Sequence, residues 1–300
     1  MAVQAITFEE ELKKNPELKV EDVRMLREWC EKQPHLPKIT DSELALFLHS
    51  NYYRIEPTKT TIENYYTIRS HVPEFYNNRD PLGCKELRRA FQTAAYMPLE
   101  GKTAEGYSIL YGRLIDFDPS HYVYNDCMKL WNMITDLWLL EKGTTKGHVF
   151  VVDVSGILLG HAGRISPMGI KKYLTFLQEA LPVRLKGLHF TNSIPVMDII
   201  LNMMKPFMKK ELMDLLHVHK SNDTLAKYFS IDLLPNESGG KAGSVAELHA
   251  KNIKHLEDNR DYFLEEERVK RVDESLRVGK GRTATEIFGV EGSFKKLDID

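Results

Sequence analysis

The side chains that could do chemistry in this chain form small groups, each incomplete for the reaction it suggests. Gly101-Lys102-Thr103 has the end of a phosphate-binding loop, but Tyr96 stands where the first glycine of Gly-x-x-x-x-Gly-Lys belongs. Without that glycine the backbone amides cannot wrap a phosphate, which argues against an NTPase. Gly156, Gly160 and Gly163 follow a strand pattern without Gly-x-Gly-x-x-Gly spacing, so no dinucleotide cofactor is expected. Asp116-Phe117-Asp118 would suit a divalent ion, yet Pro119 makes the run a turn. His217 and His219 point the same way on a strand, but no third ligand is in view, so they read as structural histidines rather than a metal site. Asp153 is the carboxylate at the end of an apolar run; it reads as a strand-end acceptor for backbone amides, or for a ligand hydroxyl should it face a cavity. Neither Gly-x-Ser-x-Gly nor His-Glu-x-x-His occurs, and the expectation is a protein that is not an enzyme.

The densest pattern is apolar. Between 195 and 210, Met197, Ile200, Leu201, Met204, Phe207 and Met208 fall at helical spacing, while Asp198, Asn202, Lys205 and Lys209 take the other side. Five of the eleven methionines lie between 197 and 213, and methionine packs against irregular or variable partners. Pro206 cannot donate its backbone bond, so the helix kinks or restarts there. Arg184, Lys186, Lys205, Lys209 and Lys210 lie in the same region. An apolar stripe beside basic side chains suits an element that covers a hydrophobic cavity and touches an anionic membrane.

Composition narrows the class. The 300 residues carry 41 basic and 43 acidic side chains, a net charge of -2 that gives no general attraction to nucleic acid. No run of eighteen apolar residues occurs and the N-terminus is polar and acidic, so a cytoplasmic protein is expected. Cys30, Cys84 and Cys127 are odd in number and far apart, which fits a reducing compartment.

The elements that must position these groups follow from periodicity. Thr7-x-x-Glu10 and Thr40-x-x-Glu43 open helices as capping boxes, with a further helix over Val20–Gln33 and another from Pro57 to His71. Asn77 to Pro81 reads as a linker. Strands are expected over 107–115, 148–154, 185–190 and 215–218, alternating with helices over 122–140 and 167–181, and a short helix over 223–229. That alternation predicts an α/β fold with a mainly parallel sheet. Ser244-x-x-Glu247 opens a charged surface helix reaching Leu276, and an irregular tail with Phe288 and Phe294 as anchors follows.

The run Pro182-Val183-Arg184-Leu185-Lys186-Gly187-Leu188-His189-Phe190, then Lys205-Pro206-Phe207, then Leu234-Pro235 and Gly239-Gly240, resembles the CRAL-TRIO lipid-binding family over almost the whole chain. Leu46-Phe47-Leu48-His49 and Ile62-x-x-Tyr65-Tyr66-x-x-Arg69 resemble its N-terminal module. The resemblance implies a helical module over 1–80, a CRAL-TRIO domain over 81–242 with a helical lid above a hydrophobic cavity, and a C-terminal helix and tail over 243–300. It implies that Met128, Trp131, Thr135, Val152, Ile157, Phe176, Leu177, Leu181 and Leu188 line the cavity. Met197, Ile200, Met204 and Met208 would form the inner face of the lid. Arg184 and Lys186, with Lys209 and Lys210, would meet anionic head groups, phosphoinositides included. The function implied is that of a monomeric carrier of a tocopherol, retinoid, carotenoid or similar ligand, peripherally associated with membranes. A membrane-sensing or protein-interaction module is the alternative. The chain departs from the family's head-group positions at Glu211, Leu215, His49 and Asn51, and has Ser238 where an aromatic precedes Gly-Gly.

Overall fold

A computed structural model describes residues 3–289. Five helices, α1 (Phe8–Lys14), α2 (Val20–Glu31), α3 (Asp41–Ser50), α4 (Ile55–His71) and α5 (Pro73–Tyr76), come first. Both expected capping boxes form, each threonine bonding the amide three residues on while the glutamate reaches back. Leu26, Leu44, Phe47, Leu48, Ile62 and Tyr66 make the separate small core of this module. Helix α4 begins two residues before Pro57, because a proline is tolerated anywhere in a first turn whose amides lack intrahelical partners.

The sheet runs in the order β1-β2-β3-β4-β5. Strand β1 (Ala94–Lys102) follows α6 (Lys85–Thr93) and pairs antiparallel with β2 (Ser108–Leu114). Neither α6 nor β1 is evident in the sequence pattern. Pro98 interrupts β1, which is acceptable only because β1 lies at the sheet edge. From β2 onward every pairing is parallel, through β3 (His148–Asp153), β4 (Leu185–Thr191) and the short β5 (Leu216–Val218). The crossovers are α7 (Tyr124–Lys142), then α8 (Leu159–Ala162) and α9 (Pro167–Glu179), then α10 (Val196–Met204) and α11 (Lys210–Asp214). A mainly parallel sheet must be covered on both faces, and the side chains divide accordingly. Leu110, Phe150, Leu188 and Phe190 join the large core with α7, α9 and α10. Ile109, Tyr111, Val149 and Val151 face the opposite, smaller core.

After β5 come α12 (Asn222–Leu225), α13 (Val245–Asp258), α14 (Arg260–Val269) and α15 (Ala284–Phe288). The short helix thus ends at Leu225, well before Phe229. The single charged helix expected from Ser244 is broken at Asn259, whose side-chain amide donates to the His255 carbonyl at 2.8 Å and competes with the backbone. The segment 77–81 lies between α5 and α6, with Asn77 and Asn78 exposed and Arg79 fully buried. Phe288 is buried as an anchor, whereas Phe294 lies outside the described residues. Among the described residues no helix is long and apolar enough to cross a membrane.

Candidate functional site

Helix α10 carries Met197, Ile200, Leu201 and Met204 on its buried face, as the i, i+3, i+4, i+7 spacing requires, and leaves Ile199 45% exposed. At Lys205–Phe207 it tightens into a 3₁₀ turn around Pro206, and Met208 continues in an extended conformation, half-buried. Pro206 is therefore the point where the regular helix stops. Trp131 of α7, Phe176 and Leu177 of α9, Leu181 after it and Leu188 of β4 are buried in the same large apolar cluster as the inner face of α10. Met128, Val152, Ile157 and Met208 are half-buried against it. The sequence-selected apolar residues are thus brought together on one side of the sheet.

Thr135, one helical turn from Trp131 on the same face of α7, is buried, and its hydroxyl donates to the Trp131 carbonyl at 2.8 Å. Trp131 is set edge-on against both Tyr96 and Phe150, with ring centroids 5.3 Å apart in each pair. Gly112 makes that approach possible: a Cβ there would lie 2.5 Å from the Tyr96 ring and 3.2 Å from Trp131. Tyr96 drew notice in the sequence only as the residue that breaks the phosphate-loop pattern, and Gly112 not at all, because nothing there predicted their apposition to α7.

The four basic residues do not form one cluster of uncommitted charge. The Arg184 guanidinium donates to the His49 carbonyl at 2.8 Å and lies 4.2 Å from the centre of the Tyr52 ring. Lys186 donates to the Tyr52 hydroxyl at 3.0 Å. Tyr52 and Tyr53 follow α3 with φ of 54° and 59°, a left-handed pair that is unusual for aromatic residues. Lys209 pairs with Glu179 at 2.7 Å and Lys210 with Asp214 at 2.6 Å. Lys209 also lines a cleft of about 420 Å³ together with Asn51, Leu185, Glu179 and Glu211, so acidic groups offset its charge there.

Asp153 is buried on the other side of the sheet. It accepts from the Ser155 amide at 2.9 Å, Asn192 at 3.0 Å, Ser238 at 2.8 Å and Tyr111 at 3.1 Å. Burial alone would raise its pKa, but the donors of Asn192, Ser155 and Ser238 outweigh it and hold the group below its ordinary value. Ser238, a departure from the family pattern, is thereby a partner of a structural carboxylate. His219 Nε2 meets His189 Nδ1 at 2.9 Å and His217 meets the Tyr228 hydroxyl at 3.1 Å. His189 is the neighbour the sequence did not suggest, because it lies on a different strand. Burial, then the neighbouring His217 and His219, push its pKa down to about 3. Among the described residues no group of three or more His, Cys, Asp and Glu side chains is arranged to hold a metal ion.

Comparison with known proteins follows the same division. Residues 15–86 match the profile described as "Pinta-like, UBA domain", and residues 93–240 match that of the CRAL/TRIO domain. The chain is 28% identical over 241 residues to the human protein named alpha-tocopherol transfer protein-like, covering 79% of this chain and 69% of that one. It is 23% identical over 237 residues to mouse Clavesin-1, covering 77% and 66%. The crystal structure of Sfh5 aligns with a TM-score of 0.50 at 12% identity, over 83% of this chain and 98% of that one, which speaks to the fold alone. Residues 93–240 of the chain are a CRAL/TRIO domain.

Proposed function

We propose that this protein carries a small hydrophobic lipid beneath α10, and that α10 acts as a lid that opens on a membrane surface. The observation that carries the reading is the two-sided character of α10: methionine-rich and buried toward the sheet, yet apolar at Ile199 on its outer face. Nearby segments add Ile194 at 39%, Phe117 at 45%, Leu158 at 51% and Leu159 at 65% exposure. Exposed apolar residues grouped around the proposed lid suit contact with lipid. The name of the tocopherol-transfer-like relative supports the same class of cargo, with tocopherol, retinoid and carotenoid as the size range.

Energetics favour direct unloading. A lipid with a few hundred Å² of apolar surface gains on the order of 10 kcal/mol from burial at about 25 cal/mol per Å², so release into water is very slow. Moving α10 exposes Met197, Ile200, Leu201 and Met204, each costing roughly 1.5–3 kcal/mol in water and far less in a bilayer. Arg184, Lys186, Lys209 and Lys210 would add about 1 kcal/mol each at an anionic surface, less whatever their present partners retain. No catalytic step is part of this proposal. The cargo leaves unchanged.

The test is transfer of a fluorescent tocopherol analogue between vesicles by the protein carrying Leu159→Asp and Ile199→Asp. Both sites are exposed, so the fold survives. A drop of tenfold or more in transfer rate is expected; an unchanged rate would overturn the lid assignment.

A further inference from the structure

A cleft of about 830 Å³ opens at the end of the sheet away from Asp153, bounded by β1, the amino ends of β2 and β3, α7 and α13. Its walls differ in kind. Ile134, Leu137 and Trp138 of α7 and Leu248 and Leu256 of α13 supply apolar lining. At the sheet end the lining turns polar, with Lys102, Ser108, Thr145 and His148. These four are neighbours by register, since Lys102 pairs with Ser108 and Ser108 with His148, and the Ser108 and Thr145 hydroxyls lie 3.1 Å apart.

His148 is 2% exposed, and its Nδ1 has no hydrogen-bond partner. A buried ring nitrogen left unpaired costs on the order of 1–3 kcal/mol, and His35, His161 and His249 each carry one as well; that of His148 is the one in the lining of this cleft. The ring is held by Trp138, edge-on at 5.1 Å. Burial, with His49 and Lys102 nearby, pushes its pKa down to about 3, so it stays neutral and its uncharged ring can share a proton with a polar ligand group.

The rim carries positive charge that the protein does not fully neutralise. Lys251 is paired with Glu100 at 3.1 Å, Lys254 with Asp258 at 2.8 Å, and Glu141 is taken by His255 at 2.7 Å. Those pairs account for all three acids of the lining. Lys14 donates to the Lys142 carbonyl and stands 3.7 Å from Glu11. Burial, opposed by Glu11 and reinforced by the repulsion of Lys102, lowers the Lys14 pKa. Lys102 and Lys142 make no ion pair among the described residues. An anion placed at the sheet end would relieve that repulsion.

We propose that this cleft is a second ligand site, separate from the region under α10, for a single-chain amphiphile with an anionic head, such as a long-chain carboxylate. The head sits against Lys102 and His148, and the tail lies between α7 and α13. The volume falls within the roughly 300–1,000 Å³ of small-molecule pockets. Helix α7 also carries Trp131, one of the residues expected to line the carrier site, so one helix borders both proposed sites.

Methyl NMR with 16-doxylstearate as the probe tests this on the full-length protein. The expected result is paramagnetic broadening that is strongest at the Leu248 and Leu137 methyls and weaker at those of Leu188 and Ile200. The methyl ester of the same probe should bind at least tenfold more weakly than the acid. The exposed pair Lys102→Glu and Lys142→Glu should abolish that preference without altering the remaining spectrum. Broadening confined to Leu188 and Ile200, equal affinity for acid and ester, an acid preference that survives charge reversal, or no binding by folded protein would each overturn the proposal. Methyls under α10 report the proposed carrier site in the same spectra, so failure of one assignment is distinguishable from failure of the other.

Discussion

Arg69 of α4 grips Asp136 of α7 with two parallel hydrogen bonds, 3.0 and 2.8 Å long, both side chains fully buried. Glu266 of α14 closes the arrangement, accepting from Arg69 at 2.8 Å and Arg271 at 3.0 Å and bonding to Arg79. Tyr65 and Tyr76 flank the Arg69 guanidinium at 4.9 and 4.4 Å. One ionic knot therefore joins the helical module, the α/β domain and the C-terminal helix. Taking away one carboxylate leaves a buried arginine uncompensated. Asp136→Asn and Glu266→Gln should each cost about 3–5 kcal/mol in urea unfolding. A loss under 1 kcal/mol would mean that water reaches the knot.

Acid should unfold the protein in two stages. Burial would raise the pKa of Glu266, but Arg69, Arg79 and Arg271 overcome it and hold the carboxylate well below its ordinary value. The unfolded chain takes up this proton at a higher pH than the folded one, so the contribution is complete above about pH 4.5 and is lost as pH falls toward the folded value. His148 and His189 are held neutral, each pushed down to about 3, and the unfolded histidine protonates near 6.5. Their contribution is complete above about 6.5 and declines below it, by at most about 1.4 kcal/mol per pH unit per group. Melting temperatures should be level above pH 7, fall between 6.5 and 5, and fall more steeply below 4.5. A flat profile between 7 and 5 would contradict the buried neutral histidines.

Tyr52 restrains the basic pair. Replacing it with alanine removes the ring 4.2 Å from Arg184 and the hydroxyl that accepts from Lys186. Each contact is worth roughly 0.5–1 kcal/mol. Tyr52→Ala should raise affinity for anionic vesicles severalfold in a flotation assay, since both cations become available. Unchanged binding would show that neither side chain reaches the bilayer.

Gly112→Ala should destabilise the protein by about 1–3 kcal/mol, because the added methyl meets the Tyr96 and Trp131 rings in a packed core. Thermal unfolding measures it. A neutral effect would mean that Trp131 has room to retreat.

Local features were legible in the sequence. The capping boxes at Thr7, Thr40 and Ser244, the strands from β2 to β5 and the stop at Pro206 all follow from short-range spacing. The apolar residues of the proposed ligand region carried both a helical period and a family resemblance. Features depending on distant pairing were not legible. Arg79 sits in Asn-Asn-Arg-Asp-Pro, a turn-like string, and nothing local shows that Asp136 and Glu266 receive it. His189 and His219 are thirty positions apart and meet only through β4 and β5. Strand β1 was hidden by Pro98 and by burial on only part of its length.

The most direct test of the carrier assignment is organic extraction and mass spectrometry of the folded protein purified from its native source. The prediction is one apolar lipid, close to one mole per mole of protein, which the unmodified protein gives up on incubation with vesicles and the Leu159→Asp, Ile199→Asp protein retains. Folded protein with no enriched lipid, whose vesicle transfer is no faster than the uncatalysed rate, would contradict it.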